Sequence, residues 1–248
     1  MDIWTIFAVL VLAGLIHASF HLSVSVLTLL SGHTLSRERS HLKLVKLTTA
    51  FTMGAGFTNI LLFCAIAFIL QLFKIDASSP IIWTIIIGLL IGTGVAVWLF
   101  YYKKPSKNSK VEGTQIWIPR DMAKFLNDRA RKTYHSAEAF SLGSTSIFSE
   151  LIFIIAPLIA AIILSLQLPT PALQLVGISI YALIATFPLI IITILVSGGK
   201  SIAQIQLWRE RYKYFLQLTS AIGLLIMAIF LYAHLLSPLV AGVQLWIT

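Results

Sequence analysis

Charged side chains are scarce in this sequence. Of its 248 residues, 11% are Asp, Glu, Lys or Arg, whereas a soluble globular domain carries about 25%. The mean hydropathy is +0.93, and 58% of the residues are hydrophobic. This composition excludes an ordinary soluble domain. It predicts an integral membrane protein that has membrane lipid as a partner.

Cysteine is almost absent as well. Cys64 is the single cysteine, which excludes a disulfide or a redox-active cysteine pair within the chain. The sequence contains no GxxxxGK[ST] phosphate-binding motif, which argues against ATP hydrolysis. We therefore expect no enzymatic activity and no cofactor. The first residues lack a basic leader and a small-residue cleavage site, so we expect them to begin the first membrane span.

Long apolar segments are the main feature that is present. Each exceeds the roughly 18 residues that distinguish a spanning helix from a buried core helix. The sequence therefore predicts an all-α membrane protein with six transmembrane helices, at residues 4–30, 49–73, 81–102, 140–166, 173–196 and 214–236.

The positive charges predict how these helices are oriented. Three basic loops, at 31–47, 103–139 and 197–213, hold 17 of the 18 Lys and Arg residues. Six spans place all three loops on one side, which the positive-inside rule assigns to the cytoplasm. We therefore expect a plasma (cytoplasmic) membrane protein with both termini outside. The net charge of +9 then reflects topology and attraction to anionic lipid, with no nucleic-acid partner. Amphipathic rings favour the interfaces, so Trp4, Trp83 and Trp246 are expected at the outer boundary.

The two halves of the chain resemble each other. Gly14 aligns with Gly143, Thr58 with Thr186, and Gly88 with Gly223. Each half has three helices, an odd number, so tandem halves must cross the membrane in opposite directions. This is a 3+3 inverted-topology repeat, a recurrent plan of secondary transporters. The predicted parts are a first repeat (1–102), a cytoplasmic basic loop with a short amphipathic helix at 120–134 (103–138), and a second repeat (139–248).

Three ionisable residues fall inside apolar spans. His17 and His21 are four residues apart, so their side chains lie on one stripe of the first helix. The alignment of the halves sets Glu150 opposite His21. An ionisable residue within a membrane helix is by default a candidate functional group. The three residues can be metal ligands, groups that couple to protons or contact substrate, or structural groups that bond to neighbours. A lone buried carboxylate needs a partner unless it is neutral, so we expect the three to meet near the midplane.

Further polar and helix-loosening residues occur in the second, fourth and fifth helices. Thr58, Asn59 and Thr186 are expected to line the path of a substrate or ion. Glycine and proline loosen helices, and freed carbonyls are tolerated at membrane depth where a cavity or protein satisfies them. The alternative is close packing of helices through small residues. The candidate positions for a helix break are Gly54, Gly56, Pro157 and Pro188.

The architecture resembles the lysine-exporter superfamily. The similarity rests on the 3+3 plan with both ends outside, the polar residues in the first and fourth helices, and the long loop after the third. The superfamily includes amino-acid exporters, nickel/cobalt exporters and thiol-disulfide carriers of cytochrome c biogenesis. The redox branch needs cysteines in helices that have none here. The histidine pair at His17 and His21 is similar to the nickel/cobalt motif, but it lacks that motif's acidic residue.

Two functions of different classes are compatible with these features. The first is a secondary transporter that exports a small cation, such as a divalent metal, or a polar metabolite by alternating access, either alone or as a homo-oligomer. The second is a membrane scaffold or assembly subunit whose basic loop recruits a partner or anionic lipid. A transporter requires the buried polar residues to converge, whereas a scaffold would leave them scattered and separately satisfied.

Overall fold

A computed structural model describes residues 2–23, 40–101, 125, 126, 128–130, 132–200, 202–238 and 240. Within these residues the chain is helical, with no strand. The end of the first predicted span, most of the central loop and Trp246 lie outside the described residues. Of the predicted amphipathic helix, residues 125, 126, 128–130 and 132 are helical. Leu126 is buried against the protein, while Phe125 is about half exposed.

The described part of the chain forms six helices that are long and apolar enough to cross a membrane, as predicted. The protein is therefore a polytopic integral membrane protein. The helices are α1 (Ile3–Ser23), α2 (His41–Leu72), α3 (Pro80–Ala96, continued by a π-helical turn at Val97–Tyr101), α4 (Ser136–Leu166), α5 (Pro171–Ser197) and α6 (Ile202–Leu231, continued by a π-helical turn at Tyr232–Leu236).

The ends of the helices follow ordinary capping chemistry. Pro80 and Pro171 begin α3 and α5, where the missing N–H costs nothing. The Thr170 hydroxyl accepts a hydrogen bond from the Leu173 N–H, which caps α5. Glu138 Oε2 accepts hydrogen bonds from the N–H groups of Tyr134, at 2.7 Å, and His135, at 3.1 Å. These contacts define where α3, α4 and α5 begin.

The loop between α2 and α3 is a tight turn that lies between the two apolar spans. Asp76 Oδ1 accepts hydrogen bonds from the N–H and the hydroxyl of Ser78, at 2.8 and 2.7 Å. These bonds to the ionised form lower the pKa of the Asp76 carboxyl. Trp83, in the first turn of α3, donates from Nε1 to the Ala77 carbonyl at 2.7 Å. Its ring is fully buried, so at this end of the span it packs against the protein.

Two helices begin earlier than the sequence predicted. α2 starts at His41 and α6 starts at Ile202, so the basic segments 31–47 and 197–213 are partly helical. The physical reason is that Leu, Lys, Arg and Gln are good helix formers. The apolar window of α6 occupies Leu218–Leu236, so the helical turns before it lie outside that window.

α4 is the central helix of the bundle. In its most apolar window, 72% of the residues are buried inside the protein, against 33–50% in the other spans. α4 packs on α1, α2 and α3, α5 packs on α1 and α2, and α6 packs on α1 and α3. The exposed sides of α2, α3, α5 and α6 are covered by large apolar side chains such as Phe57, Ile85, Leu183 and Ile229. These are the surfaces that face lipid.

α2 and α4 approach each other closely where they cross. A Cβ added to Gly54 would lie 2.1 Å from the carbonyl oxygen of Phe140, and a Cβ added to Gly143 would lie 2.1 Å from that of Phe51. Only glycine fits at either position. The two glycines therefore let the α2 and α4 backbones pack directly on each other.

The predicted helix breaks are not found in the described residues of α2, α4 and α5. Each helix is continuous through the candidate positions Gly54, Gly56, Pro157 and Pro188. Packing accounts for Gly54 instead. Gly56 faces α5, where an added Cβ would make an ordinary contact with Thr186 at 3.5 Å. These continuous helices carry the polar side chains that meet in the interior of the bundle.

Candidate ion- or substrate-binding site

α1 places two imidazoles side by side in the interior of the bundle. His17 and His21 are separated by one helical turn, and their ring centroids are 4.5 Å apart. The exposed fractions of His17 and His21 are 1% and 0%. Ile16, Ala18, Phe20 and Leu22 flank the two histidines along the chain, so the imidazoles form a polar stripe on a helix that is otherwise mostly apolar.

Glu150 of α4 meets this stripe. Its Oε2 lies 2.5 Å from His21 Nδ1 and 3.6 Å from His17 Nε2, and the carboxylate is fully buried. The structure therefore brings together the three ionisable residues that the sequence singled out, although 129 positions separate His21 from Glu150 along the chain. We call His17, His21 and Glu150 the His–Glu cluster.

Neutral polar groups hold the outward-facing nitrogen of each ring. His17 Nδ1 is 2.7 Å from the Tyr181 hydroxyl on α5. His21 Nε2 is 3.1 Å from Asn59 Nδ2 on α2, and the same amide nitrogen donates to Thr186 Oγ1 at 3.3 Å. Four helices, α1, α2, α4 and α5, thus contribute to one hydrogen-bonded network.

Of the three residues predicted to line the path of a substrate or ion, two contact the cluster or its partners and one does not. Asn59 and Thr186 belong to the network, whereas Thr58 does not. Thr58 is buried, with 4% of its surface exposed, but among the described residues no hydrogen bond links it to the His–Glu cluster. Thr58 precedes Asn59 on α2. Its side chain points about 100° away from that of Asn59, because successive residues of a helix are turned by that angle.

Tyr181 is the residue that sequence reasoning missed. A tyrosine in an apolar segment is usually read as an interfacial residue, since such rings concentrate in the two aromatic belts. Tyr181, however, lies well inside α5 and is 1% exposed. The distance of Tyr181 from either end of the span could have identified it as a candidate site residue, because a buried hydroxyl at that depth needs a polar partner.

Two polar atoms of this network have no hydrogen-bond partner in the described part of the chain. They are His17 Nε2 and Asn59 Oδ1. Leaving a buried polar atom without a partner costs about 1–3 kcal/mol. Such a cost is unusual in a packed interior and is typical of a site that offers lone pairs to a ligand.

Apolar side chains close the surroundings of the cluster. Phe20, next to His21 in sequence, stacks on Phe153 with ring centroids 5.0 Å apart, and Ile16 and Ile154 belong to the same buried apolar core as these two rings. In this low-dielectric environment, charge interactions are stronger than in water. The chemistry available is coordination of a cation, exchange of a proton, or hydrogen bonding to a small polar solute. One carboxylate oxygen and one nitrogen from each histidine all lie within 4.8 Å of one another, so the three residues can also share a metal ion.

Comparisons with protein-family models, with curated proteins and with solved structures found no match. Function is therefore inferred from the geometry of the site.

Proposed function

We propose that this protein is a secondary transporter that binds a small cation or polar solute at the His–Glu cluster. The observation that carries the proposal is the convergence of three fully buried ionisable side chains inside a bundle of membrane-spanning helices. Removing such groups from water costs several kcal/mol each unless they are paired. A protein retains them at membrane depth where they bind an ion, a proton or a substrate.

The depth of the cluster supports this function. Glu150 is close to the middle of the 31-residue α4, roughly 20–25 Å from either end at 1.5 Å per residue. Transporter sites lie near the bilayer midplane, where a bound solute can be reached from either side in turn. The site is closed in the structure, since His17, His21 and Glu150 are each exposed by 1% or less. This is the arrangement expected of an occluded state between two open ones.

The pattern of helix contacts supports the inverted repeat. Exchanging α1 with α4, α2 with α5 and α3 with α6 maps the main helix contacts onto one another. The aligned glycines behave alike: Gly143 of α4 packs on α2, and Gly14 of α1 packs on α5 near Tyr181 and Ile184. Alternating access then follows from tilting one half against the other around the cluster. We include in this proposal the resemblance to the lysine-exporter superfamily and the outward direction of transport.

The scaffold alternative makes a different demand on the same residues. It would leave His17, His21, Glu150 and Asn59 scattered among separate helices, each satisfied locally. Their convergence into one network favours the transporter. The basic loop on which recruitment would depend lies largely outside the described residues, so no observation there favours a scaffold.

The experiment is solute flux into liposomes that contain the purified protein. Divalent cations and amino acids are supplied one at a time, and uptake is compared with protein-free vesicles. At least one solute should accumulate faster with wild-type protein. His21→Ala and Glu150→Gln should abolish that flux. His234→Ala is the matched control, because His234 is exposed near the end of α6 and should transport normally. Folded, reconstituted protein that carries no solute of either class would overturn the proposal.

A further inference from the structure

The two histidines of the cluster are oriented in the same way. Each ring turns one nitrogen toward Glu150 Oε2 and has the other nitrogen held by a neutral polar side chain from a different helix. For His17 the inward atom is Nε2 and the outer atom contacts Tyr181. For His21 the inward atom is Nδ1 and the outer atom contacts Asn59. A purely structural histidine would need no such common direction.

We propose that the cluster binds one divalent transition-metal ion through His17 Nε2, His21 Nδ1 and Glu150 Oε2, with Tyr181 and Asn59 as positioning residues. This proposal names the cargo of the transporter proposed above and so rests on that function. Two imidazoles and one carboxylate are the ligands of zinc and of neighbouring first-row metals. Magnesium and calcium prefer sites made entirely of oxygen ligands, so these ions are expected to bind poorly.

The distances are close to those that a metal requires. Ligand atoms about 2.0–2.1 Å from a tetrahedral ion lie roughly 3.3 Å from each other. The His17 Nε2–Glu150 Oε2 distance is already 3.6 Å, whereas the His21 Nδ1–Glu150 Oε2 distance is 2.5 Å. At this distance His21 Nδ1–H donates a hydrogen bond to the Glu150 carboxylate. The ion takes the place of that proton, which leaves to water, and the two atoms separate by less than 1 Å.

The positioning residues fix which nitrogen faces the ion. Metal-bound histidines nearly always donate their second N–H to an oxygen, which sets the tautomer and the ring angle. The Tyr181 hydroxyl oxygen is the acceptor available to His17 Nδ1. Asn59 Oδ1 has no partner in its present orientation. Turning the amide presents this oxygen to His21 Nε2 and frees His21 Nδ1 for the ion.

Three protein ligands leave one coordination position open. Structural zinc sites are closed by four protein ligands, whereas sites that exchange or activate a ligand keep a position for water. Cys64, the single cysteine, lies outside the cluster and is exposed on α2, so no thiolate strengthens the site. Incomplete coordination suits a transported ion, which must be released as well as bound.

The test is metal binding to the full-length protein in detergent. Co²⁺ is titrated while the visible absorption of tetrahedral Co²⁺ is recorded, and Zn²⁺ affinity is measured by competition with a chromophoric chelator. We expect one ion per chain. His21→Ala and Glu150→Gln should abolish the Co²⁺ spectrum. Tyr181→Phe and Asn59→Ala should weaken Zn²⁺ binding about 10–100-fold. Tyr232→Phe, which changes an exposed tyrosine, should leave affinity unchanged.

X-ray absorption of the Zn²⁺-loaded wild type keeps the test independent of variants that fail to fold. It should show nitrogen and oxygen neighbours that include two imidazoles. A wild type that binds no Co²⁺ or Zn²⁺, or that binds zinc without imidazole, overturns the proposal. If amino-acid flux occurs without metal binding, the transporter stands and the metal inference fails. If metal binds at the cluster but no solute moves, the metal inference stands and the transport function fails.

Discussion

The α2–α4 crossing gives a prediction whose size follows from the structure. Substituting Gly143 with Ala places a Cβ 2.1 Å from the Phe51 carbonyl oxygen, and real Cβ contacts do not fall below 3.0 Å. The obstructing atom belongs to a helix backbone, so no side chain can rotate away. The two helices must separate by about 0.9 Å, the difference between these distances. Overpacking of this kind costs about 1–3 kcal/mol and occasionally more.

Gly88→Ala is the matched control. An alanine Cβ at Gly88 of α3 meets no atom within 4 Å, so this variant gains the helix propensity of alanine, up to about 1 kcal/mol. Unfolding of each purified variant is followed by circular dichroism during titration with sodium dodecyl sulfate in mixed micelles. Gly143→Ala should unfold at lower detergent fraction than wild type, and Gly88→Ala should not.

Gly54→Ala tests the same contact from the other helix. Because both substitutions push apart one pair of backbones, the double variant should lose less stability than the two single losses combined. The separation should also impair ligand binding, since α2 carries Asn59 and α4 carries Glu150, which both contact His21. If Gly143→Ala proves as stable as Gly88→Ala, the helices do not approach as closely as described and this reasoning is refuted.

Three further predictions concern other parts of the bundle. Ser19 and Ser220 form a buried hydroxyl pair between α1 and α6 at 2.5 Å. Ser19→Ala and Ser220→Ala should each lower the free energy of unfolding by about 0.5–1.5 kcal/mol. Losses that add up in the double variant would contradict the pairing. Trp83→Phe removes the hydrogen bond from Nε1 to the Ala77 carbonyl. It should lower the thermal stability more than Trp208→Phe, which changes a half-exposed ring. Equal losses of stability would contradict the burial of Trp83. In a Cys64→Ala background, single cysteines in the 103–138 loop and after Ser237 should react with an impermeant reagent from opposite sides of the membrane. Three spans, an odd number, lie between these two positions, and the basic loop is expected in the cytoplasm. Labelling of both positions from one side would refute the topology.

The spans and the ionisable residues of the site were predictable because local sequence determines them. Long apolar segments identify membrane helices wherever they occur. His17, His21 and Glu150 stand out because ionisable groups are costly inside such segments. The alignment of the two halves further set Glu150 opposite His21, which the 2.5 Å contact matches. Helix starts were less predictable, because the basic turns before α2 and α6 are helical without being apolar.

The remaining features depend on partners that are distant in sequence. Gly54 is compatible with a helix break or with close packing, and the backbone of Phe140 decides between them. Tyr181 becomes a site residue only through its contact with His17. Thr58 and Asn59 are adjacent in sequence, yet only Asn59 contacts the cluster. In each case the role of the residue depends on the position of another helix. A single sequence does not give that position, so it is compatible with two roles for the residue.

The pairing of His21 with Glu150 is the central claim, and a double-mutant cycle tests it most directly. The unfolding free energies of wild type, His21→Ala, Glu150→Gln and the double variant are measured in mixed micelles. Because the two side chains are in contact and buried, their coupling energy should be about 0.5–3 kcal/mol, with the double variant less destabilised than the combined single losses. A coupling energy indistinguishable from zero would show that α1 and α4 do not meet at these residues and would contradict the site.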